Sequence, residues 1–229
     1  MNLDSTMVLT ILGIASVIAV IIVLAIYFER RRTAQMVEYG TALGFTVQQV
    51  MPGELDGFSG STQVMNTGRG RKAHNILRRE VAPLDVVLCD YRYIVGSGKH
   101  SRTIHQTLAI FRSPRLQTPD FVISPEGFFS RVGAMLGWQD IDFDDSPEFS
   151  RKFVLKGSNE EAIRGFLTPE RRDLLTTMDR LCLEAFPGCF YFWFDGKRTP
   201  PDKLQGFFEK AFSVYSAFAE PAGEHETAG

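Results

Sequence analysis

The chain has 229 residues, 44 % hydrophobic and 23 % charged, with a formal net charge of −2. That apolar content excludes an intrinsically disordered chain. The near-neutral balance, with no recognisable nucleic-acid module, argues against nucleic acid as a partner. Three cysteines (Cys89, Cys182 and Cys189) without a C-x-x-C spacing exclude a disulfide framework and fit a reducing compartment.

Met7–Phe28 is 22 residues long and carries no charge. As a helix it would reach roughly 33 Å, enough for the hydrocarbon core of a bilayer. Glu29-Arg30-Arg31-Arg32 follows directly, whereas the six preceding residues hold Asp4 and no Lys or Arg. Positive flanks stay on the cytoplasmic side, so the expected arrangement is a single span in a bacterial inner (cell) membrane, N-terminus outside and C-terminus cytoplasmic. A cleaved signal peptide would place the basic residues before a shorter apolar core and end in a small-x-small site; here the basic charge is on the other side and the core is longer. The expected organisation is an anchor over 1–32, a domain over 33–220 and a disordered small, acidic tail over 221–229. From Glu29 to Arg115 there are 13 Lys and Arg against 7 Asp and Glu, and from Leu116 onward 12 against 19. The half next to the anchor is basic, the sign that an anionic leaflet attracts.

Residues 33–43 keep helical character up to Gly44, a helix stop. Phe45–Val50 alternates like a strand. Residues 51–73 are rich in turn formers, including Gly68-Arg69-Gly70-Arg71-Lys72. His74–Val81, Leu84–Val95 and Arg102–Arg112 read as three strands of an antiparallel meander, with Gly96-Ser97-Gly98-Lys99 as a turn. In the second of them Tyr91 and Tyr93 share one face, Asp90 and Arg92 the other. Phe121–Ser124 reads as a strand, followed by a short helix over Phe128–Leu136. Asp140, Asp142 and Asp144 alternate with Ile141 and Phe143, and Phe149–Lys156 reads as another strand.

Ser158-Asn159-Glu160-Glu161 reads as a capping box, with Ser158 as N-cap of a helix. A second helix is expected from Thr168-Pro169, with Leu174, Leu175, Met178, Leu181, Cys182 and Ala185 as its apolar stripe, ending at Pro187-Gly188. Cys189–Phe194 is the most strand-like run. A last helix opens at Thr199-Pro200-Pro201 and presents Leu204, Phe207, Phe208, Ala211, Phe212, Tyr215 and Phe218 on one face. With 19 phenylalanines, the core should be aromatic. The expected fold is α+β: an N-terminal transmembrane helix, then an antiparallel sheet covered on one side by the two middle helices and the C-terminal helix.

DYRY at 90–93, FRSP at 111–114, DIDFDDSPEFSRKFVLKG at 140–157 and the helix at 159–164 resemble a group of uncharacterised bacterial proteins with one N-terminal span and a cytoplasmic α+β domain. The resemblance covers most of residues 35–218. It implies architecture and location and supplies no activity and no catalytic residues.

Three stretches invite a chemical reading. Asp140, Asp142 and Asp144 begin like a calcium loop, but the sixth and twelfth positions hold Asp145 and Arg151 where Gly and a bidentate acid are needed. A two-carboxylate magnesium site remains as the metal reading, against an exposed polar edge with Ile141 and Phe143 turned inward. Gly96-Ser97-Gly98-Lys99-His100 lacks the first glycine and the Ser/Thr of a P-loop. Gly68-Arg69-Gly70-Arg71-Lys72-Ala73 fits G-x-G-x-x-A by letter without the flanking strand and helix of a dinucleotide site. That segment, with Arg78 and Arg79, is the densest basic cluster, suited to lipid headgroups or another anionic partner, against a plain solvated turn. His74, His100, His105 and His225 show no metal spacing. No cofactor and no catalytic nucleophile is indicated.

The expected function is a membrane-tethered, non-catalytic accessory factor that binds a protein partner or the lipid surface, with residues 7–28 in the bilayer. A metal-dependent enzyme acting at the membrane and a small-ligand sensor are the alternatives.

Overall fold

The computed structural model describes residues 5–48, 62, 66–129 and 138–219. Helix α1 (Ser5–Ala42) runs without a break through the apolar stretch and onward into the domain. By length and composition it is able to cross a membrane, and its apolar half is exposed. It stops where Gly44 takes a left-handed φ of +79°. The part beyond Phe28 packs along one stripe. Met36 and Gly40 are buried at a spacing of four residues, and a Cβ on Gly40 would collide with the Leu77 side chain, so this glycine permits the close approach.

Among the described residues, nine strands form one antiparallel sheet: β1 (Thr46–Val47), β2 (Arg69–Val81), β3 (Leu84–Val95), β4 (Arg102–Arg112), β5 (Phe121–Pro125), β6 (Gln139–Asp140), β7 (Phe153–Gly157), β8 (Leu181–Phe186) and β9 (Cys189–Phe194). The order across the sheet is β1-β2-β3-β4-β9-β8-β5-β7-β6. The fold is therefore α+β, with a long apolar N-terminal helix, as the patterning implies. β3, β4 and β9 occupy the stretches that read as strands in the sequence.

Helices α2 (Pro147–Lys152), α3 (Glu160–Phe166), α4 (Pro169–Thr176) and α5 (Leu204–Ala219), with the base of α1, lie on one face. Their apolar residues join Val86, Leu88, Ala109, Phe111, Phe190 and Phe192 in the larger core. Phe111 stacks on Phe190 with ring centroids 4.8 Å apart and on Tyr215 of α5 at 5.5 Å, so aromatic rings tie sheet to helix. The opposite face holds a second cluster around Tyr91, Tyr93, Tyr191 and Trp193, packed with Phe128.

Several elements differ from expectation. β2 begins at Arg69, so Arg69–Lys72 is strand rather than loop. Two bulges absorb its glycine-rich start and Asn75, where Gly70 (φ +59°) and Asn75 (φ +53°) are left-handed. Phe149 belongs to α2, which opens with Pro147 in its first turn, and the strand begins only at Phe153. The N-cap of α3 is Asn159, whose side chain accepts from the Ala162 N–H at 3.1 Å, not Ser158. The helix from Thr168 is short and ends at Thr176. Leu181–Phe186 is strand β8, paired with β9 through Pro187-Gly188. Gly188, at φ +82°, is the left-handed residue a proline-led turn needs. Both faces of β8 are buried, so its apolar run fits a helix stripe equally well by letter. Of Phe45–Val50, Thr46 and Val47 form β1, and the last two residues lie outside the described residues, as does most of the helix expected over Phe128–Leu136.

The Phe111 stack sets the main packing test. Phe111→Ala should cost about 3–5 kcal/mol, the range for a buried aromatic deleted without collapse. Phe212→Ala, at a residue 41 % exposed, should stay near about 0.5 kcal/mol. Chemical unfolding of the purified full-length protein would measure both.

Candidate functional site at the base of the long helix

The densest polar constellation forms where the apolar stretch of α1 ends. The carboxylate of Asp90, only 1 % exposed, sits at its centre on β3. Alternation puts Asp90 on the same face as Val86 and Leu88, facing α1. Arg32 meets it with a two-pronged contact: Nε donates to Oδ2 at 2.9 Å and Nη2 to Oδ1 at 2.7 Å. The same Nη2 donates to the Thr199 carbonyl at 2.8 Å. Asn75 Nδ2 donates to Oδ2 at 2.9 Å and Thr107 Oγ1 to Oδ1 at 3.2 Å. The bulge at Asn75 turns its amide inward, and its Oδ1 accepts from Thr33 of α1 at 2.9 Å.

Arg198, just before the turn that leads into α5, closes the cluster. It donates to both carboxylate oxygens of Glu29 at 2.5 and 2.7 Å, and to Asp90 Oδ2 at 3.1 Å. Its Nη2 also lies 3.0 Å from His74 Nε2. A guanidinium only donates, so Nε2 must keep its lone pair. Two arginines thus face two carboxylates, and charge balances within the cluster.

The titration behaviour follows from this geometry. Burial works to raise the Asp90 pKa, but the hydrogen bond and charge of Arg32, then Arg198 and Asn75, outweigh it and hold the group at about 2. Hydrogen bonding to Arg198 lowers Glu29. Burial lowers His74 more than Asp90 raises it, which keeps the imidazole neutral. A carboxylate that acidic is a poor proton acceptor near neutral pH. Burial also pushes the Cys89 thiol far up and Cys189 up to about 12, so neither is a ready nucleophile. The arrangement is suited to fastening rather than to chemistry.

The residues singled out by sequence lie elsewhere. Arg69, Arg71 and Lys72 occupy one end of β2, and Arg78 and Arg79 the other, roughly 20 Å away at the rise of a strand. Arg69 donates to the Gly96 carbonyl and to Ser101 Oγ. Arg78 is paired with Asp85 at 2.9 Å and Glu80 at 2.7 Å, and Arg79 donates to the Leu43 carbonyl. Asp140 pairs with Lys156 at 2.8 Å, Asp142 and Asp144 are exposed, and Asp145 binds the buried Arg172. Ile141 and Phe143 turn into the core. Among the described residues no three His, Cys, Asp or Glu side chains converge as a metal site. An apolar crevice of about 310 Å³ lies between β2, β3 and α5, lined by Arg79, Val81, Leu84, Val86, Phe208 and Phe212.

Sequence reasoning missed the Asp90 cluster. The available signal was an acid that continues the apolar face set by Leu84, Val86 and Leu88 on the same strand. Its two arginine partners lie 58 and 108 residues away along the chain and carry no local signature.

No protein-family model matches the chain, and no curated protein matches it. Among solved structures it is similar to the crystal structure of the mycobacterial trehalose monomycolate transport factor A, TtfA, with a TM-score of 0.60 at 10 % identity. The alignment covers 84 % of this chain and 98 % of that one. At this identity the likeness is one of fold.

The cluster makes stability depend on pH in two steps. His74 has a lowered folded pKa, so its contribution is complete above the ordinary imidazole value and is lost as pH falls below it. Asp90 is also lowered, so its contribution, about 2 kcal/mol, is present above the ordinary carboxylate value and is lost as pH falls through about 2. Thermal unfolding across pH should show both steps. Asp90→Asn should shrink the second and lower stability at neutral pH by about 3–5 kcal/mol, because two arginines lose their buried partner. His74→Gln, which can still accept from Arg198, should shrink the first step and leave the second, since burial lowers His105 as well.

Proposed function

We propose that this protein is a membrane-tethered, non-catalytic accessory factor of a bacterial membrane transport system that handles lipid-like substrates. In this reading residues 1–32 are the anchor, with 7–28 in the inner membrane, the N-terminus outside and the 33–220 domain in the cytoplasm. The observation that carries it is the Asp90 cluster, which clamps the domain to α1 about one turn beyond the last apolar residue. A domain fixed there is held at the bilayer surface, within reach of an integral membrane partner. The uncharged start, the three arginines after Phe28 and the fold shared with a transport factor support the same reading.

Two measurements test it. An impermeant maleimide should label N2C on intact cells and S97C only after permeabilisation; the reverse pattern would overturn the orientation. Mild crosslinking of the full-length protein in its native membrane should recover one stoichiometric component of a transport machinery. Recovery of the protein alone, as a monomer, would count against the accessory role.

A further inference from the structure

One end of the β2–β3–β4 ladder carries charge of a single sign. The register sets Lys72 opposite Arg92 and Arg92 opposite His105, a transverse row one step beyond His74, Asp90 and Thr107. Arg69 and Arg71 lie before it on β2, Lys99 lies in the β3–β4 turn and Arg102 opens β4. All six Lys and Arg side chains are exposed. Residues 66–72 and 91–106 contain no Asp or Glu. Like charges directly opposite on neighbouring strands repel. The acid nearest in the ladder, Asp90, is already neutralised by Arg32 and Arg198. Arg69 is held over the turn by the Gly96 carbonyl and Ser101.

Contacts with α1 fix where this end points. Going away from the apolar stretch, Arg32 meets Asp90, Thr33 meets Asn75, Gly40 meets Leu77, and the Leu43 carbonyl meets Arg79. β2 therefore runs away from the apolar half of α1, and β3 runs back toward it. From Asp90 to Val95 the strand advances about 16 Å, while α1 needs only about 6 Å from Arg32 back to Phe28. Even at an inclination of about 60° the strand would advance about 8 Å along the helix, so the β3–β4 turn reaches the level where the apolar stretch ends.

We propose that this basic end, formed by Arg69, Arg71, Lys72, Arg92, Lys99 and Arg102, rests on the headgroups of anionic lipids in the leaflet from which α1 emerges. The proposal rests on the reading of residues 7–28 as a membrane span. Cytoplasmic leaflets carry a negative surface potential that attracts juxtamembrane Lys and Arg and fades within a screening length. Arg78 and Arg79 take no part: they lie at the far end of β2 and are already engaged by Asp85, Glu80 and the Leu43 carbonyl. The domain thus has two attachments to the membrane, the helix and, to one side of it, a charged foot.

The test uses the full-length protein in vesicles of phosphatidylcholine alone or mixed with phosphatidylglycerol, with a fluorophore on S97C. The three native cysteines are buried and do not compete for the label. A nitroxide on the lipid headgroups should quench the probe several-fold more in the anionic vesicles. The difference should vanish when salt is raised from about 0.1 M to about 1 M, where the screening length falls from about 10 Å to about 3 Å. It should also vanish in R92E/K99E/R102E and, should that variant fold poorly, in the neutral R92Q/K99Q/R102Q. Equal quenching in both vesicle types, or unchanged quenching in the variants, overturns the proposal. So does quenching that appears only when a second protein is added. Release of the protein from vesicles by alkaline carbonate would instead defeat the span; retention with an unquenched probe defeats only the lipid contact.

Discussion

A single buried carboxylate ties the two halves of this molecule together. Placing Asp90 under α1 removes a charge from water, a cost of several kcal/mol if left unanswered. Five hydrogen bonds, three of them from the guanidinium groups of Arg32 and Arg198, offset it. Buried ion pairs commonly add little net stability over a well-packed apolar alternative. What they impose is geometry: a two-pronged arginine–carboxylate contact is satisfied in one orientation, whereas an apolar interface tolerates several. Here that orientation joins the long helix, strand β3 and the segment leading into α5.

The remainder of the domain is arranged to hold this junction still. The helix-bearing face is filled with phenylalanine, and the Phe111–Phe190–Tyr215 stack locks α5 against β4 and β9. Because α5 follows directly from the Arg198–Thr199 segment, its docking positions Arg198. On the other side, Gly40 lets α1 approach Leu77 closely, which fixes the height of Arg32 over Asp90. Apolar packing sets the distance between the elements, and the polar cluster sets their relative direction.

Much of this fold was legible in the sequence. Leu84–Val95, Arg102–Arg112 and Cys189–Phe194 carry strict alternation or β-rich runs and are strands over those residues. The apolar helix declared itself by length alone. Reading failed where one pattern admits two periods. Leu181, Leu183 and Ala185 face one core while Cys182 and Glu184 face the other side, so a doubly buried strand passed for a helical stripe. The Pro187-Gly188 pair was legible as a break but not as the turn of a hairpin. The candidate site was less legible still. The basic cluster seen in the sequence is split by a long strand, because residues near in number lie far apart once the chain is extended. The Asp90 cluster is invisible for the opposite reason: Glu29 and Arg198 are 169 residues apart and meet only in the finished fold.

The uninterrupted course of α1 has a consequence for phase. A helix turns about 100° and rises about 1.5 Å per residue. Because it continues from Ser5 to Ala42 as one unbroken helix and is gripped at Arg32, Met36 and Gly40, the azimuth of the apolar half is tied to the sheet. A neighbour that recognises one stripe of the apolar half therefore also selects which flank of the domain it meets, and one residue inserted between Phe28 and Arg32 would rotate that choice by about a quarter of a turn.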